Sequence, residues 1–201
     1  MAMRTDMTLN DHSSALALLT TRRSGRPREM VAPGPSADEL RQILAIAART
    51  PDHGKLAPWR FVIIGNEQRG ALADLLSRAL DQHDPEAGEA HHLKARDFAH
   101  QAPALVILIS APVHNHKIPV WEQQLSCGAA AMNLLHATHA LGYVGGWLTG
   151  WQACSKLVEA EFCEEGECIA GFLFLGSPGR ELEERPRPNL DELVRVWDPP
   201  A

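Results

Sequence analysis

The run PVWEQQLSCGAAAMNLLHATHALGYVGGWLTG, Pro119 to Gly150, holds a long helix, its stop and a strand. Its first part is rich in small residues and apolar nearly all round. That pattern predicts a helix buried centrally against the rest of the chain. Gly142 supplies the left-handed C′ position that ends such a helix. The segment YVGGWLTG then reads as a short strand with a Gly-rich exit.

Working outward, PALVILIS (Pro103–Ser110), WRFVIIG (Trp59–Gly65) and ECIAGFLFLGSP (Glu167–Pro178) are apolar and bounded by turn residues. Each predicts a buried strand. Between them lie helical patterns. PSADELRQILAIAAR opens on a capping box of Ser36 and Glu39, repeats Leu40, Ile43, Leu44 and Ala47 at helical spacing, and stops before Pro51. Further helices are predicted over 14–24, 67–80, 86–100 and 153–162. Residues 1–13 read as a disordered lead and 14–201 as one domain. Helices and strands interleave too irregularly for a βαβ repeat, which predicts an α+β three-layer sandwich.

The chain has 201 residues and a formal charge of −6, with 45% hydrophobic and 22% charged residues. This suits a single domain and argues against general nucleic-acid binding through net charge. The longest apolar run is far too short to span a bilayer, and the N-terminus lacks the apolar core of a secretory signal. A cytoplasmic location is expected. Cys127, Cys154, Cys163 and Cys168 form no CxxC pair and read as free thiols.

Four stretches carry groups suited to chemistry. RRSGR places Arg22, Arg23 and Arg26 around Ser24. Guanidinium forks and a hydroxyl suit phosphate oxygens, although a basic helix end facing solvent has the same composition. TPDHGKLAPW sets Arg49, His53 and Lys55 about a tight turn between buried elements, as a binding loop or an incidentally charged one. GYVGGWLTG lets a flat ligand approach backbone amides, or is a strand with a bulge. RPRP stiffens Arg185 and Arg187 in what is otherwise a solvated tail. His136 and His139 sit three apart on the long helix, but no Cys or acidic partner stands at ligand spacing, so a metal site is not expected. GxSxG, P-loop and GxGxxG motifs are absent from the sequence.

In this order and spacing, RRS, PDH…PW, WEQ and GFLFLG resemble the FMN-dependent nitroreductase family, in its compact NAD(P)H nitroreductase branch. The likeness runs from about Ser14 to the end. It implies a homodimer with a mostly antiparallel central sheet in an α/β/α sandwich, and FMN sites lined by both subunits. Position by position, it implies that Arg22 and Ser24, with Arg23 beside them, bind the phosphate. Arg26 would reach the pyrimidine edge of the flavin. Arg49 and His53 would contact the flavin, Trp147, Leu148 and Thr149 would line it, and Arg185 and Arg187 would close on the phosphate. Many members of the family carry Asn where this chain has Lys55.

The resemblance further implies hydride transfer from NADH or NADPH through flavin N5 to a small acceptor such as a nitroaromatic or quinone. The mechanism would be ping-pong, with no side chain as nucleophile and Arg26 and His53 assisting. A flavin-binding carrier or sensor without reductase turnover is the alternative.

Overall fold

A computed structural model describes residues 8–200. Eight helices and five strands are formed among them: α1 (Ala15–Thr21), β1 (Met30–Val31), α2 (Ala37–Ala47), β2 (Trp59–Ile64), α3 (Arg69–His83), α4 (Glu89–His100), β3 (Ala104–Ser110), α5 (Val120–Ala140), β4 (Val144–Leu148), α6 (Gly150–Cys154), α7 (Lys156–Phe162), β5 (Cys168–Pro178) and α8 (Leu190–Leu193). Every strand pairing is antiparallel. β5 lies at the centre, bonded to β3, β4 and β1, and β2 pairs with β3.

The period of two along β3 and β5 makes the three layers. Leu105, Ile107, Ile109, Phe172 and Phe174 face α3, α4 and α7, whose Leu76, Ala95, Phe98 and Val158 complete that core. Val106, Leu108, Leu173 and Leu175 face the other way, onto Ile43 and Ala47 of α2 and Ala130, Ala131 and Leu134 of α5. Each large side chain buried in this way contributes about 1.5–3 kcal/mol. Phe98 meets Phe172 and Phe174 edge-on, at 5.2 Å from each.

The expected α+β sandwich is formed, with local differences. WRFVIIG is an edge strand with Ile63 half exposed, because only β3 pairs with it. The helix predicted over 153–162 breaks at Ser155 into α6 and α7, since the chain leaves β4 through a left-handed Gly150 and must turn before reaching β5. The two-residue β1 gave no periodic signal. Of the segment read as a disordered lead, residues 1–7 lie outside those described. Asn10, however, is tied to the end of α1: its amide donates to Thr21 O at 3.1 Å. Its side chain also bonds both backbone groups of Arg23.

α2 begins on the predicted capping box, with the Ser36 amide donating to the Glu39 carboxylate at 2.8 Å. The same carboxylate accepts from Tyr143 Oη at 3.0 Å, pinning the α5–β4 turn to α2. α5 ends as expected, with Gly142 at φ +85°. From Ala130 to His139 none of its residues is exposed, as expected, whereas near its start Trp121 and Leu125, one turn apart, are 63% and 64% exposed. Among the described residues no helix is long and apolar enough to cross a membrane.

Candidate functional site

After α1 ends at Thr21, residues 22–26 run along the outer edge of β4. Gly25 donates its amide to Gly145 O at 3.2 Å. The approach is close enough that a Cβ on Gly146 would lie 2.8 Å from Gly25 O. A side chain at 146 would therefore push the arginine loop off the strand. Within the loop, Arg22 Nη1 donates to Ser24 Oγ at 3.3 Å.

The C-terminal tail crosses this loop. Arg187 Nη2 donates to Arg22 O at 3.1 Å and to Glu184 at 2.7 Å. Arg23 Nε donates to Glu183 O at 2.7 Å. Burial, and then the positive charges of Arg187, Arg185 and Arg23, lower the Arg22 pKa, and Glu184 offsets this only in part. Of the four guanidiniums, Arg187 alone makes an ion pair among the described residues, with Glu184. Like charges gathered in this way favour a bound anion.

Arg26 lies beside this group and is exposed. It pairs with Glu29 at 3.2 Å; Glu29 also takes Arg180 at 3.3 Å, and Arg180 pairs in turn with Glu183 at 3.0 Å. Residues 23–26, Glu29 and the segment 180–183, which adds Glu181 and Glu183, line a shallow recess here. Nothing in the sequence flagged Glu29 or Arg180, which stand 151 positions apart.

Two histidines of α5 lie under the loop. His139 is fully buried, and its Nε2 accepts the Gly145 amide at 3.1 Å. Burial, with Arg22 and His136 nearby, pushes its pKa down to about 4. His136 is lowered by burial and then by Arg22. Nδ1 of each is buried without a hydrogen-bond partner. Among the described residues no cluster of His, Cys, Asp and Glu could hold a metal ion.

The turn 51–58 is built differently. Asp52 accepts the amides of Leu56 and Ala57 at 3.0 and 2.7 Å. This holds Gly54, Lys55 and Ala57 at φ +79°, +58° and +48°. Two non-glycine residues in the left-handed region carry strain of the kind that gathers at functional sites. His53 Nδ1 meets Glu122 at 2.6 Å, fixing the turn to the first turn of α5. Glu122 belongs to WEQ but was not read as a partner of the site, because the contact spans 69 positions. His53, Lys55 and Arg49 are exposed.

Trp147 lays its indole over Gly171, where any Cβ would collide, and donates Nε1–H to Ala170 O at 3.0 Å. Leu148 packs into the α3–α4 core, and Thr149 is exposed.

The fold therefore brings Arg22, Arg23, Ser24, Arg185 and Arg187 together, with Arg26 adjacent and β4 carrying Trp147 on the same strand as Gly145. It does not bring the turn to them within one chain. Glu122, which anchors the turn, and His136, under the arginines, are separated by about 21 Å of helix axis at ~1.5 Å per residue.

The nitroreductase family model matches residues 19–176. A Haemophilus influenzae protein provisionally named NAD(P)H nitroreductase is 39% identical over 174 residues, spanning 85% of this chain and 91% of its own length. Among solved structures, a nitroreductase-like protein from Bacillus cereus superposes with a TM-score of 0.76 at 19% identity, covering 98% of this chain and 99% of that one. A nitroreductase from Bacteroides fragilis with bound FMN superposes with a TM-score of 0.65 at 21% identity, covering 91% and 98%. This chain belongs to the nitroreductase family.

Proposed function

We propose that the chain is an FMN-dependent oxidoreductase using NADH or NADPH. The observation that carries this reading is the convergence of Arg185 and Arg187, from the far end of the chain, on Arg22, which itself bonds Ser24, with too few carboxylates to neutralise them. A phosphate dianion fits that charge. Arg22, Ser24, Arg185 and Arg187 would hold it, with Arg23 kept in place by Asn10 and the tail. Arg26 would face the polar edge of the flavin, and Trp147, Leu148 and Thr149 would line its ring. The names of the relatives and the FMN-bound neighbour support the same cofactor.

When bound, FMN supplies hydride transfer from the nicotinamide to a small acceptor such as a nitroaromatic or quinone, in ping-pong order. The protein contributes field and position. Arg26 favours negative charge at the ring edge, and Arg180 draws on the carboxylate that would otherwise cancel it. His53, with Nδ1 on Glu122, leaves Nε2 free to pass a proton to a reduced acceptor.

The separation of the turn from the arginines supports a homodimer, in which Arg49, His53 and Lys55 of a second copy complete the site. Exposed Trp121 and Leu125 on α5, Leu16 and Leu19 on α1, and Leu193, Val194 and Trp197 of the tail offer apolar surface for it. The protein should purify yellow, as a dimer by light scattering, release FMN on denaturation, and bleach anaerobically with NADH or NADPH. Bound flavin that neither nucleotide bleaches would leave a carrier or sensor. A colourless protein that takes up no FMN would end the proposal.

A further inference from the structure

His139 is a costly residue for the middle of a core. It is fully buried on the C-terminal half of α5. Its Nε2 accepts a backbone amide, so the proton of the neutral ring sits on Nδ1, and Nδ1 has no partner. A leucine there would bring no unpartnered ring donor of its own. What a leucine could not supply is the acceptor.

That acceptor acts at one peptide. β4 has β5 as its strand partner. Gly145 carries both of its backbone polar groups elsewhere: its amide goes to His139 Nε2 at 3.1 Å, and its carbonyl receives the Gly25 amide at 3.2 Å. An imidazole and a loop thus take the place of a further strand. The groups gather tightly, since a Cβ on Gly145 would lie 2.7 Å from Leu135 Cδ2, and one on Gly25 would lie 2.8 Å from Val144 Cγ2. Gly25 stands between Ser24 and Arg26, so the contact that fixes it also sets where both side chains start.

We propose that His139 is a positioning residue: through Gly145 it sets the backbone of residues 22–26 and thereby the grip of Arg22 and Ser24 on the bound anion. The importance of that grip rests on the function proposed above, whereas the effect on Gly25 does not. The charged or titratable groups acting on the ring are Arg22, at the end of α1, and His136, one turn earlier on α5. Both oppose its protonation. A protonated Nε2 would donate rather than accept, and the Gly145 amide would lose its acceptor.

The test uses His139→Leu, which removes the acceptor, and His139→Gln, whose side-chain oxygen reaches the position of Nε2. Two quantities are read on apoprotein: amide hydrogen exchange at Gly25, normalised to Phe172 in the core, and FMN affinity by flavin fluorescence. H139L should exchange at Gly25 at least ~10-fold faster and bind FMN at least ~10-fold more weakly. H139Q should restore both to within about threefold of wild type. Unchanged Gly25 exchange in H139L, or H139Q behaving as H139L, would overturn the proposal. If wild type binds no FMN, the cofactor assignment fails, while the Gly25 comparison still decides the role of His139.

Should H139L not fold, wild type and H139Q are compared from pH 6 down to 4. Wild type should lose its normalised Gly25 protection as the pH nears 4 and H139Q should keep it. Equal loss in both would overturn the proposal.

Discussion

The two ends of α5 carry two charged regions held by opposite means. At the C-terminal end, the arginine loop is assembled from distant segments. Asn10, the tail and β4 each hold one piece of it, and its guanidiniums repel one another. At the N-terminal end, the turn 51–58 is held mainly by its own Asp52, and its His53 is already paired with Glu122. The first region carries more positive than negative charge, which suits the anion proposed for it. The second is closed on itself and spends its stability on backbone conformation. The proposed site would combine a grip assembled from distant segments with a wall shaped locally.

The largest expected contrast is with pH. The folded pKa of His139 lies near 4, below the ordinary 6.5, because burial disfavours its charge. Its contribution to stability is therefore complete above pH 6.5. It is lost as the pH falls toward 4, when the unfolded chain takes up a proton that the folded chain refuses. The loss amounts to about 3 kcal/mol over that window. Urea denaturation at several pH values should show this slope in wild type and a shallower one in H139Q. Identical slopes would remove the buried histidine from the comparison.

Next is the grip itself. Arg22→Ala should weaken FMN binding by about 1.5–3 kcal/mol, as expected for a lost charge-assisted bond. Fluorescence titration measures this, and unchanged affinity would take Arg22 out of the site.

The turn should respond through stability. Asp52→Ala leaves the Leu56 and Ala57 amides without their acceptor and should cost about 1–2 kcal/mol in urea denaturation. Combined with R22A, its stability effect should add to within about 0.5 kcal/mol, as for separate regions. Marked non-additivity would mean that the two ends of α5 are coupled.

The smallest effect has the opposite sign. Lys55 is held at φ +58°, where asparagine is better tolerated, so Lys55→Asn should stabilise the protein by about 0.5–1 kcal/mol. A thermal midpoint that does not rise would mean that the lysine makes a compensating contact.

Much of the fold was legible because its signals are local. The Ser36–Glu39 box, the Gly142 stop and the apolar runs of β3 and β5 each read correctly from a few neighbouring residues. The edge position of β2 was not legible, since burial of a strand depends on what pairs with it. The break at Ser155 and the short β1 also escaped periodicity. At the site, composition singled out the arginines and the charged turn. The partners that organise them did not stand out: Asn10 for Arg23, Glu122 for His53, and Glu29 and Arg180 around Arg26. From the sequence His139 reads only as half of a His pair on one helix, and its bond to Gly145 depends on β4 lying beside α5.

By itself the sequence determined the elements, their alternation into two buried faces, and the kinds of group available for binding an anion, because propensity, capping and hydrophobic period act over a few residues. Only the tertiary structure decided which cations share a carboxylate, that Arg22 meets Arg187 across nearly the whole chain, and that the turn lies a helix length away. Those outcomes depend on distances through space, and charge and hydrogen bonding respond to that distance rather than to separation along the chain.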